Sequence, residues 1–255
     1  MKNVRQTARM LASVTDEREA ELVAALGADI VDAKDPVAGA LGALPHATVS
    51  AIRARVPARV PVSATIGDPT NDVEATAIAV LRMAETGADI VKVGFGAAAA
   101  PTIDRLGRLD LGSVRLVGVL LADQGIDFDL IGGAHAAGFA GLMLDTADKR
   151  RGSLPEIVSA EVMGRFVATV RRSGMFAGLA GSLRAEHVPA LLLLMPDVLG
   201  FRGGLCRHGD RTGGIGAEAV SAVRRVIPVC DAALSAACRV PAPDAMAPRQ
   251  TEDAA

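Results

Sequence analysis

The chain has 255 residues, half of them hydrophobic, and a formal net charge of −2. That length suits one large domain or two small ones, and an α/β barrel routinely occupies about 250 residues as a single unit. Six Phe are the only aromatic residues and there is no basic stripe, which argues against nucleic-acid binding, while no apolar run approaches the ~20 residues of a membrane-spanning helix.

Short apolar runs alternate with helix-periodic segments along the chain. Strands are predicted over 10–14, 28–34, 61–66, 88–94, 114–122, 141–146, 175–180 and 198–202. Between them lie amphipathic patterns such as "DEREAELVAALG", "NDVEATAIAVLRMAETG" and "LPEIVSAEVMGRFVATVRRSG", the last ending on Gly174 as a helix C-cap. The strands are near-continuous hydrophobic runs, as parallel strands covered on both faces are. Eight such units predict one α/β domain, a single (β/α)8 TIM barrel over residues 1–240. A doubly wound open sheet is the alternative. The segment 241–255, "PAPDAMAPRQTEDAA", has the composition of a flexible C-terminal tail.

"GADIVDAKDP" (27–36) is nearly repeated as "GADIVKVGFG" (87–96), with Lys92 where the first copy has Asp32. The copies fall on predicted strands two and four, and strand six ends in the similar "LMLD". Alternate strands of such a barrel fill the same interior layers. Aligning Ile30 and Val31, Ile90 and Val91, and Met143 and Leu144 places Asp32, Lys92 and Asp145 at one level. Lys34 lies two residues beyond Asp32, on the same inward side and higher. These charges are expected at the C-terminal mouth, where active sites of this fold lie.

Only four of the 27 cationic residues are lysine: Lys2, Lys34, Lys92 and Lys149. Arginine serves on a solvated face, but only an amine can lose its proton and attack a carbonyl. Lys34, Lys92 and Lys149 with Asp32 and Asp145 therefore read as a catalytic set for amine chemistry with proton transfer, each lysine depressing its neighbours' pKa. A purely structural reading instead pairs Asp32 with Lys34 and Asp145 with Lys149 as rim ion pairs.

A second feature is anion binding. "AGSLR" closes strand seven, and "FRGGLCRHGDRTGGIGAE" runs from strand eight into the last helix. Ser182, Arg184, Arg202, Gly203 and Gly204 are the expected phosphate cradle. Other signals are weak. "GFGAAA" only loosely matches a dinucleotide fingerprint. The four histidines show no metal-ligand spacing, and His187 reads as a packing or capping residue. Asp123 ends strand five, facing the mouth or capping a helix. Cys206, Cys230 and Cys238 are odd in number and read as reduced thiols, not as a disulfide or zinc site. The apolar stretch in "MKNVRQTARMLASVTDE" is too short for a secretory signal, so a cytoplasmic location is expected. No metal and no cofactor is expected, and a homo-oligomer is left open.

"GADIVDAKDPVAGALGA", "VSATIGD", "DIVKVGF", "LDTADK", "LAGSLR" and "GFRGGLC" occur in order between about Leu11 and Val226. Together they resemble the (5-formylfuran-3-yl)methyl phosphate synthase family, also named 4-(hydroxymethyl)-2-furancarboxaldehyde-phosphate synthase. The resemblance implies a TIM-barrel lyase that condenses two molecules of glyceraldehyde 3-phosphate to the furan aldehyde phosphate, inorganic phosphate and water. That product begins methanofuran or its bacterial analogue. The family's Schiff-base lysine falls on Lys34 through "DxKxP", and its proton-transfer lysine on Lys92 through "KVG". Its further charged pair falls on Asp145 and Lys149, and its strand-two acid on Asp32. Ala40 stands where many members carry Ser, and the segment after Gly96 is an alanine run without the usual polar residues. The residues taken alone also allow a class I aldolase for another sugar phosphate, or a non-catalytic phosphometabolite-binding barrel.

Overall fold

The computed structural model describes residues 7–228, so Lys2, Cys230, Cys238 and the tail 241–255 lie outside the described residues. The strands are β1 (Arg9–Val14), β2 (Ile30–Ala33), β3 (Val62–Thr65), β4 (Ile90–Phe95), β5 (Arg115–Leu121), β6 (Gly141–Asp145), β7 (Phe176–Leu179) and β8 (Val198–Phe201). They pair in sequence order, all parallel, and β8 closes on β1. The helices are α1 (Glu17–Ala25), α2 (His46–Arg55), α3 (Val73–Ala84), α4 (Ala99–Leu106), α5 (Leu130–Ala136), α6 (Leu154–Ile157), α7 (Ala160–Arg172), α8 (Val188–Leu192) and α9 (Ala217–Val226). The protein is a closed (β/α)8 barrel, and the open sheet is excluded. No helix among the described residues is long and apolar enough to cross a membrane.

Local chemistry sets the element ends. Asp16 caps α1 through the N–H groups of Arg18 and Glu19, and Asp72 caps α3 through that of Ala75. The pattern read as one helix from Leu154 divides at Val158, which is extended, and Ser159 caps α7. Gly174 follows α7 with φ of 82°, the left-handed turn expected of it.

Between strands and helices lies the larger apolar layer, with Val31, Val62, Val91, Leu142 and Leu144 facing outward. The interior is filled by a separate cluster that includes Leu11, Ile30, Ile90, Val117, Met143, Phe176 and Val198. Along β2, β4 and β6 the inside-facing positions turn polar only toward the C-terminal ends, at Asp32, Lys92 and Asp145, while at the opposite end Arg9 stacks on Phe176. Burying apolar side chains below and charges above confines chemistry to one end.

The layers differ from the one-level alignment in one respect. Asp32 pairs through Ser63 with Ile90, and the tilt of such a barrel adds about one residue per strand. Lys92 thus shares the layer of Asp32. By the same route Lys92 leads through Val117 to Gly141, and the tilt brings Met143 to that level. Asp145 stands one layer higher, with Lys34. Matching sequence repeats cannot reveal this, because stagger is a property of the closed sheet.

Candidate active site

A cavity opens at the C-terminal mouth and is lined by Asp32, Lys34, Lys92, Asp145 and Lys149 together with the turns after β7 and β8. Its lower layer is built on Asp32, which is fully buried. Lys92 Nζ lies 2.8 Å from Asp32 Oδ1. Ser63 donates to Oδ1 at 2.6 Å and Ser13 to Oδ2 at 2.8 Å. The carboxylate is thus held from β1, β3 and β4. Its partner is Lys92, not the Lys34 of the rim-pair reading, because Lys34 points to the layer above.

That upper layer is built on Asp145. Lys34 Nζ approaches Asp145 Oδ2 at 3.4 Å, and Lys149 Nζ donates to Oδ1, with a further bond to Thr146 Oγ1 at 3.1 Å. The N–H of Thr146 donates to Asp145 Oδ1 at 2.7 Å. The expected Asp145–Lys149 pair is present, with Lys34 as a third member. Asp123 neither faces the amines nor caps a helix. It accepts the N–H groups of Ala147 at 2.7 Å and Asp148 at 2.9 Å, fixing the turn that delivers Lys149.

Three amines and two carboxylates leave one positive charge uncompensated in a site where Lys34 is 6% exposed and Lys92 4%. Burying a charge is costly unless it is paired, so the cluster favours losing one proton from an amine. Burial pushes the Lys92 ammonium below the ordinary lysine value; Asp32 opposes the shift and the charge of Lys34 adds to it. Lys149 is likewise lowered by burial, opposed by Asp145 and helped by Lys34 and Arg211. Burial alone would raise both aspartates. Lys92 and Lys34 overcome it at Asp32, and Lys149 and Lys34 at Asp145, so both stay below the usual carboxylate range.

The turns after β7 and β8 form the cavity's other wall. Gly181 and Ser182 have φ of 110° and 51°, so two successive residues adopt left-handed backbone. A Cβ on Gly204 would sit 2.4 Å from the carbonyl oxygen of Leu183, so the two turns touch only because that residue is glycine. Gly203 and Gly204 open a short 3-10 turn, whose first N–H groups have no partner within it. Arg184 is exposed at the rim. His187 accepts the N–H of Arg184 at 3.2 Å through Nδ1, a local cap as read from the sequence.

Arg202 departs from the expected cradle. Its Nε donates to the carbonyl of Arg211 at 2.9 Å, and the terminal nitrogens donate to the carbonyls of Ser13 and Gly213 and to both oxygens of Glu19. All five guanidinium donors are engaged, so the side chain anchors the loop and has no donor to spare for an anion. Glu19 also takes the N–H of Ile215 at 3.2 Å and that of Thr15 at 2.9 Å. Ser13 and Ser63 could have been found by inward parity. Glu19 and Arg211 carried no local signal, since each reaches the site across other elements.

A closed (β/α)8 barrel whose mouth gathers three lysines against two buried aspartates is an enzyme of the TIM-barrel class. The chain belongs to the 4-HFC-P synthase family, whose model matches residues 10–224. A Methylorubrum extorquens protein, provisionally named (5-formylfuran-3-yl)methyl phosphate synthase, is 43% identical over 85% of this chain and 92% of its own. The (5-formylfuran-3-yl)methyl phosphate synthase of Methanocaldococcus jannaschii is 34% identical over 80% of this chain and 93% of its own. The fold is shared with phosphoribosyl anthranilate isomerase from Thermus thermophilus, with a TM-score of 0.62 and 16% identity over 86% of this chain and 97% of that one. It is shared equally with 3-keto-L-gulonate-6-phosphate decarboxylase from Vibrio cholerae, with a TM-score of 0.61 and 16% identity over 87% and 97%.

Proposed function

We propose that the protein is a lyase that condenses two molecules of glyceraldehyde 3-phosphate into (5-formylfuran-3-yl)methyl phosphate, releasing one inorganic phosphate and two waters. The observation that carries this reading is Lys34, an amine at the cavity wall whose counter-ion Asp145 is shared with Lys149. One triose phosphate, as its ketone isomer, forms an imine on Lys34. Lys92, depressed by burial and oriented by Asp32, removes a proton to give the enamine. Aldol attack on the second triose, loss of one phosphate, cyclisation and dehydration complete the aromatic ring. The iminium is the electron sink throughout, so the chemistry calls for no redox cofactor. Backbone N–H groups of Ser182, Gly203 and Gly204 suit one phosphate, with Arg184 at the rim. The family relatives support the product and, with it, a role in methanofuran or methanofuran-analogue biosynthesis.

The test is incubation with glyceraldehyde 3-phosphate alone, followed by mass analysis and ultraviolet absorbance. A furan aldehyde phosphate with one equivalent of inorganic phosphate is expected. A simple six-carbon aldol product would mark an ordinary class I aldolase instead. Borohydride with substrate should label Lys34, and no label at all would leave only a binding protein.

A further inference from the structure

Condensing two triose phosphates requires the mouth to hold two phosphates, yet the turns after β7 and β8 supply one cradle. Arg211 lines the same cavity and is half-buried. Its guanidinium contrasts with that of Arg202. Of five donors, one bond is formed, from a terminal nitrogen to the carbonyl of Gly39 at 3.2 Å. It has no ion pair among the described residues. Its charge, with that of Lys34, helps lower the Lys149 amine.

The position is built. Glu19 holds Arg202, and Arg202 holds the carbonyls of Arg211 at 2.9 Å and Gly213 at 3.0 Å. Gly203 backs onto the Arg211 Cβ, 3.7 Å from where its own Cβ would be. From that fixed base the side chain leaves the β8 turn and reaches the β2–α2 loop at Gly39. A guanidinium held this way within reach of Lys149 adds positive charge to the mouth, and its spare coplanar donors match a phosphate's oxygens.

We propose that Arg211, with Lys149 across the mouth, forms a second anion subsite that takes the phosphate of the other triose. The inference rests on the two-triose reading for what bears the phosphate, but not for phosphate binding itself. Inorganic phosphate is the probe. Calorimetric titration into the full chain should give two phosphates per chain. Arg211→Met should retain one. Arg211→Met should also raise the KM for glyceraldehyde 3-phosphate about tenfold to a hundredfold, the effect of losing a charge-assisted bond, with Arg211→Lys falling between. A wild-type stoichiometry of one, or an Arg211→Met chain that folds and still binds two, would overturn the subsite. Neither result would bear on imine formation, which borohydride labelling reports separately.

Discussion

Lys34 and Lys92 differ in depth and in company, and their substitutions should separate nucleophile from base. Lys34→Arg keeps the charge and most of the reach but removes the proposed nucleophile, because guanidinium stays protonated. It should abolish both furan formation and borohydride labelling while phosphate binding persists. Lys92→Arg should leave some labelling, since the imine needs only Lys34, and should lower turnover by about 10²- to 10⁴-fold, the usual contribution of a positioned base. Labelling of the Lys34→Arg chain would move the nucleophile to Lys92 or Lys149. The depressed Lys92 amine also dictates a pH profile. A base acts when deprotonated, so turnover should rise with pH along a limb centred below the ordinary lysine value of 10.5. Because the amines are coupled, that midpoint belongs to the cluster. A limb unchanged in Lys92→Arg would exclude Lys92 as its source.

The turn after β8 is the element on which both proposed phosphate sites depend, and one buried ion pair holds it. Glu19→Ala would leave Arg202, 8% exposed, without its carboxylate, a loss of about 3–5 kcal/mol for a broken buried pair. Glu19→Gln keeps the shape and should cost less. Hydrogen exchange across 203–213 should accelerate in Glu19→Ala well before global unfolding; unchanged protection there would show that the loop is held by other contacts. Glycines in the same turn divide by cause. At Gly204 an added Cβ meets rigid backbone at 2.4 Å, so Gly204→Val should destabilise by about 1–3 kcal/mol through overpacking. At Gly203 the nearest atom is 3.3 Å away, so Gly203→Val should fold and raise the KM more than it lowers turnover. An unchanged KM would remove Gly203 from the cradle.

At the scale of the molecule, closure of β8 on β1 brings five ionisable side chains from strands and turns far apart in sequence into one desolvated volume. Such charges tie stability to pH. Asp32 and Asp145 have folded pKa values below 3.8, so their contribution is complete above that value and is lost as pH falls below it. Thermal melts should show a midpoint that drops steeply below about pH 4. Asp145→Asn, having one such carboxylate fewer, should show a shallower decline. An equal slope in both chains would mean that surface carboxylates govern acid unfolding.

The sequence alone determined the eight β/α units, because each strand is an apolar run of parallel-sheet type and several intervening helices carry their own periodicity, α1, α3 and α7 with side-chain caps. It also determined that Lys34, Lys92, Asp32 and Asp145 face inward, because side chains alternate strictly along a strand. Tertiary structure decided which of them meet. The stagger of a closed barrel pairs Asp32 with Lys92 and lifts Asp145 to Lys34, a vertical offset that no repeat in the chain records. It likewise decided that Arg202 is bound by Glu19 and that Arg211 keeps donors free. A guanidinium's partners depend on which elements close around it, and here those are α1, β1 and the β2–α2 loop, some 170 to 190 residues away along the chain.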